Sequence, residues 1–192
     1  LTKMEKIKIV CLGGSLDAGS SSLKMVKSAE KKLASLGAET YLIDIRDLKL
    51  PIFSYSAMKK GPSSKFSKIL AKIHEADGYI FASPEYHGTV SAAFKNVIDH
   101  LEHLSAFKPP YLSSKPVGCI AIAGAESAGH STLTTMISIV NNLRGIAAST
   151  SFAIGSGSNL FTPSGRLKDK NAERRLSRLA DEVYMLAVKL KY

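Results

Sequence analysis

A chain of 192 residues, 45% of them hydrophobic, is long enough for one domain with a substantial core and too apolar for wholesale disorder. No apolar run reaches the length that crosses a bilayer, and the charged stretch Leu1 to Lys8 with its short apolar sequel is no secretory signal. The net charge of +10 suits an anionic partner, but no helix-turn-helix or zinc-finger spacing occurs and no aromatic residues interleave with a basic stripe, which argues against nucleic acid.

In chain order, Lys6 to Leu12 is an apolar run that predicts a first strand. The loop Gly13-Gly14-Ser15-Leu16-Asp17-Ala18-Gly19-Ser20-Ser21-Ser22 follows. Helical spacing of Leu23, Val26, Ala29, Leu33 and Leu36 predicts a helix from about Ser20 to Leu36, with Gly37 as its terminator. Glu39 to Ile45 reads as the second strand, and Arg46 to Ser64 as a long irregular surface connection. A short helix at Lys65 to His74 leads to a third strand at Tyr79 to Ser83. Pro84-Glu85-Tyr86-His87-Gly88-Thr89 is a compact loop, and a helix is expected from Val90 to Leu104. Pro116 to Ala123 is the fourth strand, Ser131 to Leu143 a helix ended by Gly145, and Ile146 to Ile154 the fifth strand. After a Gly/Ser-rich connection, Asp169 to Lys191 is a long amphipathic helix with Leu176, Leu179, Val183, Leu186, Ala187 and Leu190 turned inward.

Strands alternating with helices imply a parallel sheet covered on both faces, and five strands in flavodoxin-like order 2-1-3-4-5 is the economical α/β arrangement. One domain is expected to span residues 1–192. The order puts a switch point between the first and third strands, so the Gly/Ser loop and the Pro84 loop meet at one crevice, which the loop after the fourth strand can join. Cys11 and Cys119 fall on the first and fourth strands with the third between them, about 9–10 Å apart and too far for a disulfide. They read as buried, inert thiols, consistent with a reducing compartment and a cytoplasmic protein. The first Met is Met4, which is compatible with a removed targeting segment.

In the first loop, Ser15, Ser20, Ser21 and Ser22 offer hydroxyls, the glycines expose amides, and the helix N-terminus adds partial positive charge, a combination that can cradle a phosphate. It lacks the Gly-Lys-Ser/Thr of a P-loop and the Gly-x-Gly-x-x-Gly of a dinucleotide fingerprint, and an ordinary turn with serine caps would use the same residues. In the second loop, Pro84 stiffens the chain, Gly88 lets backbone approach a flat object, and Tyr86 supplies one aromatic face. His100 and His103 share a helix, but no cysteine or His-Glu-x-x-His partner accompanies them, so packing is the expected role and no metal is assigned.

Gly14-Ser15, Gly19-Ser20 and Pro84-Glu85-Tyr86-His87-Gly88-Thr89 with Phe94-Lys95-Asn96-Val97-Ile98-Asp99 resemble the NADPH-dependent FMN reductases, flavodoxin-like enzymes that include quinone, azo-dye and chromate reductases. The second motif usually reads Pro-Glu-Tyr-Asn, then Pro-Gly, then Leu-Lys-Asn-x-x-Asp-Trp; here His87, Ser91-Ala92 and His100 stand in the corresponding places. Gly165-Arg166-Leu167 before the last helix is also similar. The family's phosphate loop commonly has Arg where this chain has Asp17 and Asn where it has Ser22. A carboxylate ~4 Å from a phosphate repels it by roughly 4 kcal/mol per charge pair at an effective dielectric near 20. Asp17 must therefore face solvent, be compensated (Lys24 is near), or weaken FMN binding.

The resemblance implies FMN with its ring bordered by Pro84, Glu85, Tyr86, His87 and Gly88, and a third contact loop at Ser127, Gly129 and His130, with Glu126 facing water. Tyr86 would pack on the flavin or close the nicotinamide side, or else anchor in the core. His87 would donate to flavin or substrate, or face solvent. NADPH or NADH would deliver hydride to FMN, and a small-molecule acceptor such as a quinone, free flavin, azo compound, chromate or ferric ion would take the electrons. No catalytic side chain is required, since the flavin carries the chemistry. A homodimer or homotetramer is implied. Two other readings use the same fold: a non-enzymatic electron carrier, which the +10 charge disfavours, and a nucleotide- or nucleic-acid-binding module that has lost flavin.

Overall fold

The computed structural model describes residues 5–125, 128–155 and 160–192. Its centre is a parallel sheet built from β1 (Lys8–Gly13), β2 (Glu39–Asp44), β3 (Gly78–Tyr86), β5 (Pro116–Ile122), β6 (Ile146–Ala147) and β7 (Phe152–Ile154), with β4 (Thr89–Val90) folded back antiparallel on the end of β3. The order is β2-β1-β3-β5-β6, with β7 pairing β5 beyond β6. This is the expected flavodoxin-like 2-1-3-4-5 order, with two differences. The fifth strand is split, and the loop after the third strand begins as a hairpin.

The split has a local cause. Ser149 and Thr150 turn away from the sheet, and the Ser151 hydroxyl takes over by accepting from the backbone N–H of Cys119 at 3.0 Å. The Glu182 carboxylate clamps the same turn, accepting from the N–H and hydroxyl of Ser149 at 3.0 and 2.7 Å and from both groups of Thr150. A strand interrupted here still returns to β5 in register, with Ile120 opposite Phe152.

Two cores sit on the two faces. On one, α1 (Ser21–Ser35) and α6 (Lys170–Lys191) bury Leu23, Val26, Leu33, Leu176, Leu179 and Val183 against Ile9, Cys11, Ile80 and Ile120. On the other, α3 (Ser64–Glu75), α4 (Ala92–His100) and α5 (His130–Asn142) bury Phe66, Ile73, Phe94, Val97 and Met136 against Val10, Phe81 and Cys119. Alternate residues of each strand serve opposite faces, the period of two that pleating imposes. Cys11 and Cys119 are free, buried, and on opposite faces. Burial pushes the Cys119 thiol up to about 12 and Cys11 higher still.

Some boundaries move. A short helix, α2 (Tyr55–Met58), interrupts the long connection after β2. α4 begins at Ala92 rather than Val90, because Val90 pairs with Glu85 in β4 and Ser91 caps the helix; a 3-10 turn then continues it to Leu104. Leu190 on α6 is exposed rather than inward; at this end of the helix the neighbouring Lys191 is the residue turned to the sheet edge, where it pairs with Asp77 at 3.0 Å. None of the described helices is long and apolar enough to cross a membrane.

Candidate active site

The carboxyl ends of β1, β3 and β5 lie side by side, with Gly13 opposite Ala82 and Pro84 opposite Ile122. β3 therefore runs on past β1 as far as Tyr86. There it reverses through His87 and Gly88, whose φ angles are 52° and 79°, and pairs Tyr86 with Thr89. Two successive residues at positive φ make the mirror-image turn that suits a two-residue hairpin. Glycine takes it freely, and His is among the few other residues enriched there. A type of residue that tolerates this backbone, rather than a reactive imidazole, is what position 87 needs. His87 itself is exposed.

The hairpin is fixed from both sides. The Ser91 hydroxyl donates to the Gly14 carbonyl at 2.5 Å and accepts from the Phe94 N–H at 3.0 Å, so one buried side chain caps α4 and ties it to the loop after β1. The Ser83 hydroxyl accepts from the Ser91 N–H at 3.1 Å. At Gly14 a Cβ would stand 2.8 Å from the Ala82 carbonyl and from the Phe94 ring, so glycine lets the two loops touch. On the other side, Thr132 in the first turn of α5 donates to the Glu85 carboxylate at 2.7 Å, and Ser131 lies 3.4 Å from the same oxygen. A carboxylate at a helix N-terminus is favourably placed. Thr132 is wholly buried, and neither it nor Ser91 stands out in the sequence except as a small hydroxyl residue at a helix start.

The first loop holds its serines differently. Ser20 caps α1, its hydroxyl accepting from the Leu23 N–H at 3.1 Å and sharing a 2.9 Å hydrogen bond with Ser22. Ser15 is buried and accepts from the Asp17 N–H at 3.1 Å. Ser22 is only 2% exposed, whereas Ser20 and Ser21 are half-buried at the helix mouth. The loop backbone itself is uncovered: a Cβ on Gly19 would meet nothing within 4 Å, nor would one on Gly124 after β5. Amides of the first turn of α1 have no intrahelical acceptor. An anion with a flat body can therefore approach main chain on both sides of the crevice, and the residues present fit a phosphorylated planar group. Asp17 is the exception. Its exposed carboxylate faces the Tyr86 hydroxyl at 3.4 Å across the mouth, and no cation pairs with it among the described residues.

Tyr86 is 48% exposed, at the rim and not in the core. Gly129 lies at the N-cap of α5 with φ 104°, beside the crevice, and His130 is exposed. Glu126 and Ser127 lie outside the described residues. Asn96 grips the long connection, accepting from the Phe53 N–H at 2.9 Å and donating to the Pro51 carbonyl at 3.0 Å. His100 meets the same carbonyl at 2.9 Å and packs between Phe53 and Phe66. His103 stacks on it at 5.9 Å, and desolvation, followed by the His100 charge, lowers its pKa. Among the described residues no His, Cys, Asp or Glu cluster could hold a metal.

A protein of this build has known relatives. An E. coli K12 protein named quinone reductase is 30% identical over 132 residues, 66% of this chain and 68% of that protein. A Shigella flexneri protein named NADPH-dependent FMN reductase ArsH is 25% identical over 178 residues, 92% of this chain and 67% of that one. In fold, the chain matches FerB, a flavoenzyme NAD(P)H:(acceptor) oxidoreductase from Paracoccus denitrificans, with TM-score 0.76 over 95% of this chain and 98% of that one at 17% identity. The NADPH-dependent FMN reductase profile matches residues 7–159, from the strand that starts the sheet to past the strand that ends it. The chain therefore belongs to the NADPH-dependent FMN reductase family, a family of FMN-dependent NAD(P)H oxidoreductases.

Proposed function

We propose that residues 1–192 form a single FMN-binding domain that oxidises NAD(P)H and passes the electrons to a small-molecule acceptor. The observation that carries this reading is the seam of the two loops, Ser91 to Gly14 at 2.5 Å, which joins a hydroxyl-lined helix mouth to a rigid hairpin with exposed main chain. In this reading the phosphate lies toward Ser15, Ser20, Ser21 and Ser22 and the α1 N-terminus, Ser22 contributing chiefly by setting the Ser20 hydroxyl. The ring lies along Pro84, Glu85, Tyr86, His87 and Gly88, with Gly129 on the far side; Ser127, proposed from the sequence as a further contact, lies outside the described residues.

Bound FMN would supply two-electron chemistry between a nicotinamide and an acceptor. The chain's part is to hold and orient. The Thr132–Glu85 and Ser91–Gly14 bonds keep the hairpin amides where a flat ring can use them, and donors that need no reorganisation are the efficient way to stabilise negative charge. Tyr86, half out in solvent, can cover one face of the ring. No residue at the crevice is needed as nucleophile or acid–base pair.

Quinones, free flavin, azo compounds, chromate and ferric ion all suit an acceptor reached over an open rim. The two buried free thiols support a reducing, cytoplasmic setting. A homodimer or homotetramer is part of the reading, supported by the apolar groove of about 620 Å³ beside the crevice, lined by Leu16, Leu48, Leu50, Ile52 and Val97, with Ile52 88% exposed. The deciding experiment is a visible spectrum with added FMN, followed by anaerobic NADPH titration. A bound yellow band that NADPH bleaches and a quinone restores is expected; a protein that leaves FMN free in solution ends the reading.

A further inference from the structure

One cluster of basic side chains lies away from the crevice. A cavity of about 640 Å³ opens between α1, α6 and the segment that precedes α6. Four cations line it, Lys31 and Lys32 from α1 and Arg166 and Lys168 from that segment, against one carboxylate, Glu173. Leu167 and Leu176 give it an apolar floor. Its volume is that of a small-molecule site. Lys31 lies eleven residues along α1 from Ser20, roughly 16 Å at 1.5 Å per residue, so the cavity does not belong to the crevice.

The wall carrying Arg166 is held in place. Phe161 and Leu167 bridge antiparallel around a turn closed by Gly165 N–H to the Thr162 carbonyl at 2.9 Å. Arg166 donates its N–H to the Thr162 hydroxyl at 3.1 Å, and its carbonyl accepts from the Thr162 N–H at 2.8 Å. Below it, Asp169 caps α6 through the N–H groups of Asn171 and Ala172. Lys32 pairs with Asp181 at 2.8 Å, whereas no ion pair engages Lys31 or Arg166 among the described residues. Like charges gathered around a concave surface raise the local positive potential, and a guanidinium on a hydrogen-bonded turn presents the fork that binds phosphate oxygens in pairs.

We propose that this cavity is a second anion site, which takes a phosphorylated molecule of mononucleotide size. Its phosphate lies between Lys31 and Arg166 and its ring on Leu167 and Leu176, and Glu173 accepts from an amino group on the ring. The site stands apart from the flavin reading and holds whether or not FMN occupies the crevice.

Titration calorimetry with adenosine 2′,5′-bisphosphate tests it, on the whole protein with one equivalent of FMN per chain, because an excess of that phosphorylated ring would compete for the cavity. A binding component that the cavity substitutions weaken is expected beside any at the NAD(P)H crevice, lowered by added salt, with no such heat from adenosine. The Lys31→Ala/Arg166→Ala double substitution should weaken binding at least tenfold, and Arg166→Glu alone should do the same, with melting curves and FMN binding unchanged. The comparison reads the cavity even if FMN fails to bind. Absence of heat, equal affinity in both variants, or inorganic phosphate binding as tightly as the bisphosphate would overturn the proposal.

Discussion

Asp17 is the side chain that works against its surroundings. It sits among hydroxyls and helix amides suited to an anion, carries a negative charge itself, and finds only the Tyr86 hydroxyl opposite. Replacing it with Asn keeps the size and removes the repulsion. Asp17→Asn should tighten FMN about tenfold by fluorescence titration and leave riboflavin, which lacks the phosphate, unchanged. An equal gain for both ligands would assign the effect to the Tyr86 contact instead. Ser91 presents the opposite case, a small residue with three jobs. Ser91→Ala removes an N-cap and leaves the Gly14 carbonyl buried without its donor, so denaturant unfolding should show a loss of about 1–2 kcal/mol and FMN binding should weaken with it.

Beyond the helix faces that bury the two cores, side chains also join elements through turns. Glu182 on α6 holds the turn between β6 and β7 with four donors. Burial alone would raise its pKa; the hydrogen bonds from Thr150 and Ser149 outweigh that and hold it below the ordinary 4.5. A carboxyl lowered on folding contributes its stability fully above the unfolded value, and loses it as pH falls through the folded one. Wild type should therefore exceed Glu182→Gln by about 1–2 kcal/mol at neutral pH, the gap closing below roughly pH 4.5 in thermal melts against pH. A gap that persists unchanged at pH 3 would count against the clamp. The end of α5 shows a different economy. Arg144, not Gly145, takes the left-handed φ of 64° after the helix, while Gly145 is needed because a Cβ there would meet Val140 and Val117 at 3.0 and 3.2 Å.

For the molecule as a whole, the sheet isolates its two thiols and leaves one flank greasy. Cys11 and Cys119 should ignore a thiol reagent in native buffer and react together only at the unfolding transition, since burial keeps both protonated and covered. The exposed apolar groove predicts association. Sedimentation should show an oligomer that Ile52→Asp shifts toward monomer, with FMN binding retained by the monomer or reduced with it according to how far the crevice relies on the partner.

The strands and helices were legible because apolar runs and helical spacing are local properties, and the alternation of the two leaves few topologies for a parallel sheet. The pairing of the Gly/Ser loop with the Pro84 loop followed from strand order alone. What stayed hidden depended on contacts between distant residues. Nothing near Glu85 announces Thr132, and nothing near Gly14 announces Ser91, 77 positions away. A serine or threonine at a helix start looks like a cap whatever else it binds. Periodicity likewise overran the short hairpin at Val90 and missed the break in the fifth strand, because a two-residue pairing and a carboxylate clamp from α6 leave no period in sequence. Residue pattern thus chose the layers and the family, while the rigid seam of the crevice and the basic cavity beside α6 came into being only when folding brought remote side chains within hydrogen-bonding reach.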